Sequence, residues 1–257
     1  MERNKLNQAC SNQSADGPEL HWRAYTWNAK VLCIKREFVA TVNWHDCYGE
    51  ATRVEIRILG VCGSPIKGGN TEVFLKEALK AAESAGGVQI EFISLAGKEI
   101  RDCRHCNWCV TKQTEGKFCS QDDDMTEIFP RVLQADGLLL ASPVYIGRLS
   151  GYLACFLDRL RVFAFGNLYR GKLHNKVGGA LSVGWSRNFG IETTLISIVS
   201  AFMILGMIPV GPRHGLGALG GAGGLSSGYG TGKFDPEDKL GILKDEHGLR
   251  GARSLGQ

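Results

Sequence analysis

The sequence predicts an α/β fold, a parallel sheet covered by helices on both faces. Two observations carry that prediction: short apolar runs alternate with stretches of helical spacing, and glycine-containing turns stand where one gives way to the next. Strands buried on both faces are continuously apolar instead of alternating with polar residues.

The elements follow in order from Val54. "VEIRILGVCGS" is a β-branched run that closes in Gly and Ser, and "TEVFLKEALKAAESAG" then has helical spacing and a glycine stop. "VQIEFISL" (88–95) is the second strand, and a cysteine-rich loop at 102–124 follows it. "DDMTEIFPRVLQA" opens a helix, with Asp124 and Glu127 at capping-box spacing. The strand "DGLLLAS" (136–142), the helix "GYLACFLDRLRVF", the strand "KVGGALSVG" (176–184), a helix beginning near Glu192 and the short strand "MIPVG" complete the set. Five strands alternate with helices. Right-handed crossovers place every strand-to-helix loop at the carboxyl edge of such a sheet, where ligands bind. "GSPIKGGNT", the cysteine loop and "SPVYIGRLSG" are therefore expected to share one edge.

Three regions follow: an irregular N-terminal extension over 1–52, a main domain over 53–212, and a Gly-rich loop with a C-terminal tail over 213–257. The extension holds Trp22, Trp27 and Trp44 with Cys10, Cys33 and Cys47, and it shows neither alternation nor helical spacing. It reads as an added segment, or as upstream sequence translated from a mistaken start. The tail contains a formal G-x-G-x-x-G at Gly215, Gly217 and Gly220, but no helix-forming segment follows to aim its amino end at a pyrophosphate.

Composition excludes several classes of function. With 30 basic and 26 acidic residues the net charge is only +4, and no Lys/Arg run interleaves with aromatics, so nucleic acid is not an expected partner. No apolar stretch follows the basic start, so a cytoplasmic protein is expected. The apolar run "LISIVSAFMILGMIPV" (195–210) is too short for a membrane span and is broken by Ser197, Ser200, Gly206 and Pro209. Nine cysteines without export point to metal ligation or free thiols instead of disulfides.

Four loops carry candidate chemistry. Ser64, Gly69, Asn70 and Thr71 lie beside a helix amino terminus, where backbone N–H groups can hold a phosphate dianion; a plain turn with Thr71 as cap is the alternative. No G-x-x-x-x-G-K-[ST] is present, which argues against triphosphate hydrolysis. Pro143, Val144, Tyr145 and Gly147 on the third loop offer a surface for a flat apolar ring, or simply a turn with Tyr145 packed. The fourth loop, "GWSRNFGIE", brings Trp185, Ser186, Arg187 and Glu192, with Arg187 either a ligand-facing cation or a solvated charge.

Taken in order, "GSPIKGGNT", "SPVYIGRLSGYLACFLDRL" and "GWSRNFGIETTL" resemble the NADPH-dependent FMN reductase family of flavodoxin-like proteins, over about residues 54 to 212. With the cysteine loop between them they resemble its iron-sulfur flavoprotein branch. The resemblance implies a flavodoxin-like, doubly wound five-stranded parallel sheet, FMN at its carboxyl edge, and a homodimer or homotetramer. It implies phosphate contacts from Ser64, Asn70 and Thr71, and isoalloxazine contacts from Pro143, Val144, Tyr145, Ile146 and Gly147. The chain departs from the family in two places: Trp185, Asn188 and Phe189 stand where the family is richer in Gly, and the gap from Cys109 to Cys119 is longer than its compact spacing.

Cys103, Cys106 and Cys109 are spaced by two residues, and Cys119 follows after a gap. Three thiolates so spaced can each take an iron corner of a cube, with the distant fourth taking the last, as in ferredoxin-type runs. A 4Fe-4S cluster is the leading reading. Structural zinc more often uses two separated C-x2-C knuckles, though His105 could substitute for a ligand; free thiols are the third option. Cys62 and Cys155 lie in expected core elements and read as buried thiols. Asp122, Asp123 and Asp124 precede a helix and read as capping residues. The expected function is electron transfer by an iron-sulfur flavoprotein between ferredoxin or NAD(P)H and a small acceptor. Its alternatives are an NAD(P)H-dependent flavin or quinone reductase with zinc in the cysteine loop, and a non-catalytic FMN-binding docking module.

Overall fold

The computed structural model describes residues 55–257 apart from 218 and 234, together with the backbone of two short strands. Those strands, β1 (Ala24–Trp27) and β2 (Lys30–Cys33), pair antiparallel and belong to a compact unit, Met1–Thr52, separate from Arg53–Gln257. The expectations for Cys10, Cys47, Trp22 and Trp44 lie outside the described residues.

In the second unit β3 (Ile56–Cys62), β4 (Val88–Ser94), β5 (Gly137–Tyr145) and β7 (Val177–Gly184) form one parallel sheet in the order β4-β3-β5-β7. Along β7 lie two short strands end to end: β8 (Ile208–Val210) beside Val177–Gly179, and β9 (Gly221–Leu225) beside Ala180–Gly184. Together they fill the fifth position of the flavodoxin-like order 2-1-3-4-5. The Gly-rich stretch expected to be a flexible loop therefore supplies half of an edge strand. Its glycines have a packing reason: a Cβ on Gly221 would stand 2.6 Å from Leu195, and one on Gly224 2.6 Å from Ile242.

Alternation along each strand builds a core on either face. Leu59, Val61, Leu138, Leu140 and Ala180 face α3 (Met125–Gln134), α4 (Gly151–Arg159), α5 (Arg161–Phe165) and α6 (Ile191–Ile204). Cys62, Leu139, Ala141, Leu181 and Val183 face α1 (Asn70–Ser84) and the C-terminal helix α7 (Glu246–Gly256), through Phe74, Leu75 and Leu79 and through Leu249, Ala252 and Leu255. The tail is thus half of the cover on one face. No helix among the described residues is long and apolar enough to cross a membrane; α6, the apolar run of the sequence, buries Leu195, Ile198 and Phe202 against the sheet.

Candidate functional site

Parallel register brings the ends of β3, β5 and β7 to one edge: Cys62 stands beside Ala141, and Pro143 beside Val183. The loop after β3 turns sharply at Gly68 (φ +68°), which a side chain rarely adopts. Ser64 is buried, and its Oγ accepts from the Ile66 N–H at 3.1 Å. Thr71 is buried too, but Gly69 and not Thr71 is the N-cap of α1. The Glu72 carboxylate turns back to accept from the Gly68 N–H (2.8 Å) and the Ser94 Oγ–H (2.6 Å), with Lys76 3.6 Å away offsetting its charge. Among the described residues the first-turn N–H groups of Asn70, Thr71 and Glu72 have no acceptor, which is the donor set a phosphate uses at a helix amino terminus.

The third loop is a two-residue hairpin. Val144 and Tyr145 pair antiparallel with Leu149 and Arg148 of β6 (Arg148–Leu149), and both turn residues, Ile146 (φ +49°) and Gly147 (φ +71°), are left-handed as a type I′ turn requires. A β-branched residue there is a true outlier, and such strain collects where a ligand is held. Ile146 is 99% exposed, so its strain serves no packing. Pro143 is buried and Val144 half-buried, while Tyr145 presents its ring at the surface, its hydroxyl pushed up by desolvation and by nearby Cys62. The fourth loop and the first turn of α6 touch this hairpin: a Cβ on Gly190 would lie 2.5 Å from Gly147 Cα, and Thr193 Oγ1 donates to Gly147 O (2.5 Å).

The tail braces two of these loops, which sequence spacing did not foretell. Asn70 donates to Lys239 O (3.2 Å) and accepts from the Ile242 N–H (2.9 Å), so its side chain anchors the tail and only its N–H faces the helix mouth. The Arg187 N–H donates to Gly230 O (3.0 Å), Ser186 bridges to Thr231, and Ser227 Oγ donates to Trp185 O.

Cys103, Cys106, Cys109 and Cys119 line one pocket, with Asn107, Gln121, Arg159 and Arg161. His105 (φ +50°) and Asn107 (φ +56°) bend the chain around it before α2 (Trp108–Thr111) begins. The long gap to Cys119 is a closed excursion. It turns at Gly116 (φ +75°), whose N–H donates to Tyr169 Oη (2.8 Å), and buried Gln113 ties both sides, donating to Phe118 O (2.9 Å) and accepting from the N–H groups of Leu168 (3.1 Å) and Tyr169 (3.2 Å). Cys119 is thereby returned to the pocket. The loop leaves β4 at the carboxyl edge, but its thiols settle at the far end of α4. That helix begins where Ser150 Oγ donates to Gly63 O (2.6 Å) and ends at Arg159, so about 13 Å of helix separates the two sites.

Arg159 is 1% exposed and paired with Asp123, and it donates to Arg101 O (3.0 Å). Its Nε and Nη2 have no hydrogen-bond partner among the described residues. Burial opposes its charge, but Asp123 and Cys119 together more than offset this and raise its pKa further. Arg161 donates to Asn107 Oδ1 (2.8 Å) and directs Nη1 to Cys109 Sγ (3.7 Å). Cys106 is exposed; the hydroxyl of Ser120 (3.3 Å) and the Trp108 N–H hold its thiol below the usual range. Burial pushes the Cys109 thiol up, and the Cys62 thiol to about 12, the latter as expected of a core thiol; Cys155 is only half-buried.

Sequence reasoning missed the two arginines. The available signal was position: Arg159 follows Leu153 and Phe156 at spacing three on the stripe that faces the core, where a charge needs a partner. The aspartate run does less capping than its position implies. Asp124 accepts from the Glu99 N–H (2.6 Å) and Asp123 from the Arg101 N–H (3.2 Å), fastening the loop, while Asp123 Oδ1 also takes the Met125 N–H (3.2 Å).

An open 2-1-3-4-5 sheet with a phosphate-type loop, a strained hairpin and a fourth loop at one edge is the flavodoxin-like arrangement, and the comparisons make it that of a flavin oxidoreductase. The chain belongs to the NADPH-dependent FMN reductase family, whose model matches residues 56–217. An iron-sulfur flavoprotein of Methanocaldococcus jannaschii is 41% identical over 79% of this chain and 94% of its own length. Another, of Methanosarcina thermophila, is 38% identical over 64% of this chain and 82% of its own. The fold recurs in a solved structure of RosB with bound 8-demethyl-8-formylriboflavin-5′-phosphate, at TM-score 0.57 and 17% identity, covering 78% of this chain and 76% of that one.

Proposed function

We propose that this protein transfers electrons between a one-electron donor such as ferredoxin, or NAD(P)H, and a small acceptor, using FMN at the carboxyl edge and a 4Fe-4S cluster held by Cys103, Cys106, Cys109 and Cys119. Bound there, the cluster would pass single electrons and the flavin would store two, chemistry that no side chain supplies. One observation carries the reading: three closely spaced cysteines and a fourth ten residues on line one pocket against a buried guanidinium, two of whose nitrogens have no hydrogen-bond partner among the described residues, a setting that calls for an anion.

A single zinc with bonds of about 2.3 Å would need its sulfurs drawn around one point. Among the described residues no three Cys, His, Asp or Glu side chains are so gathered. At the other site the N–H groups of Asn70, Thr71 and Glu72 bind the phosphate, Ser64 and Glu72 hold the loop in shape, and Tyr145, Ile146 and Gly147 with Ser186 and Arg187 border the ring. The FMN phosphate is held by backbone, so orientation comes from the loops' geometry and not from a charged side chain.

The test is anaerobic purification with iron, sulfide, zinc and flavin quantified, in wild type and in Cys106→Ala. The variant is expected to keep FMN, to lose iron and sulfide, and to lose flavin reduction by reduced ferredoxin. Equal rates at matched FMN occupancy would instead leave the cysteine loop as a zinc site or a docking surface.

A further inference from the structure

We propose that Arg159 and Arg161 are positioning residues for the group bound by the cysteines, holding it through N–H···S contacts and raising its reduction potential. This rests on the cluster reading above. The two arginines act from different sides. Arg159, which lines the pocket with Cys119, is locked by Asp123 and Arg101 O, and its buried Nε and Nη2 have no hydrogen-bond partner among the described residues although Cys119 lies close enough to help hold its charge. Arg161 reaches Cys109 Sγ with Nη1, at 3.7 Å, while Asn107 holds its other nitrogen at 2.8 Å.

Charge decides the direction. A cluster held there would, on reduction, gain one negative charge on a group whose four thiolate ligands already make it an anion. Nearby cations and hydrogen bonds to sulfur favour the more negative form, which is how protein surroundings raise such potentials. The arginines are not equivalent, because Asp123 cancels much of the charge of Arg159. Arg161 is held by a neutral amide, so more of its field reaches the sulfurs. Arg104 also lines the pocket, but it is exposed and screened by solvent. Arg161 therefore sets the potential, whereas Arg159 with its rigid fork mainly sets geometry and retention.

The experiment uses the full chain, purified anaerobically, as wild type, Arg161→Gln, Arg161→Lys and Arg159→Lys. Iron, sulfide and flavin are quantified, and the midpoint potential is followed by electron paramagnetic resonance during titration with dithionite as reductant. Arg161→Gln is expected to retain iron, sulfide and FMN while its oxidised-to-reduced ratio at a given potential rises about tenfold, a fall of 59 mV for a one-electron couple. Arg161→Lys is expected to recover at least half of that shift. Arg159→Lys, which keeps the charge beside Asp123, is expected to lose iron on dilution at least threefold faster with flavin binding unchanged. A wild-type midpoint in Arg161→Gln together with wild-type iron retention in Arg159→Lys would overturn the proposal with the cluster reading intact. A wild-type protein without iron and sulfide would overturn both.

Discussion

At the scale of single residues, the cysteine pocket depends on groups that carry no chemistry of their own. Gln113 uses one amide to hold Phe118 O, Leu168 N and Tyr169 N, and Phe118 is the neighbour of Cys119. Gln113→Leu is nearly isosteric but leaves Phe118 O and the Tyr169 N–H buried and unpaired, at about 1–3 kcal/mol for each that water cannot reach. The expected outcome is a lowered urea midpoint together with reduced iron content, since Cys119 would no longer be delivered to the pocket. Unchanged iron with lowered stability would show that the excursion reaches its end without Gln113. Ile146 is the opposite case. Its exposed side chain packs against nothing, and its left-handed backbone is sustained by the hairpin and by the contacts of Thr193 and Gly190 with Gly147.

At the scale of elements, α7 and α1 cover one face of the sheet together. Leu255 lies over Gly179, which has no Cβ to hinder that approach. Leu255→Ala is expected to cost about 2–4 kcal/mol, read as a fall in chemical-denaturation stability, because a buried leucine is lost and a cavity opens between helix and sheet. The same helices share the ion pair of Arg253 with Glu77, at 2.9 Å. Burial alone would raise the Glu77 carboxyl, but hydrogen bonds from Arg253 and Lys80 more than offset it and hold its pKa below the usual range. A depressed carboxyl stabilises the fold above the ordinary glutamate pKa of about 4.3, and that contribution disappears as pH falls through the lowered value. Arg253 is half exposed, so the effect is at most about 1 kcal/mol. Glu77→Gln should be less stable than wild type at pH 7 in low salt, with the two converging below pH 4.

At the scale of the whole molecule, the unit Arg53–Gln257 has a core on each face of its sheet built from its own strands and helices. A chain beginning at Arg53 is therefore expected to fold and to hold FMN in proportion to wild type, measured as flavin absorbance per protein and thermal midpoint. An insoluble or flavin-free product would place the boundary elsewhere. Within that unit α4 has one end at the phosphate-type loop and the other at the cysteine pocket. One short helix thus links the phosphate-type loop to the cysteine pocket.

The strand-helix alternation and the gathering of the loops after β3, β5 and β7 at one edge were legible in the sequence, because each rests on local patterning, apolar runs and turn residues; the cysteine loop, expected at the same edge, instead carries its thiols to the far end of α4. Three things were decided only in three dimensions. The Gly-rich stretch from Gly211 contains β9, since glycines that look like a linker are what lets a strand pass close to Leu195 and Ile242. Asn70 belongs to the tail as much as to the phosphate-type loop, because its partners lie 169 and 172 residues away. Arg159 becomes part of the cysteine pocket through Asp123, 36 residues earlier, and its two remaining donors have a use only when the loop folds over them. Local pattern records what a segment does with its own neighbours. Which distant polar group meets a buried charge is decided by the packing of helices on the sheet, because only that packing removes the water that would otherwise have satisfied it.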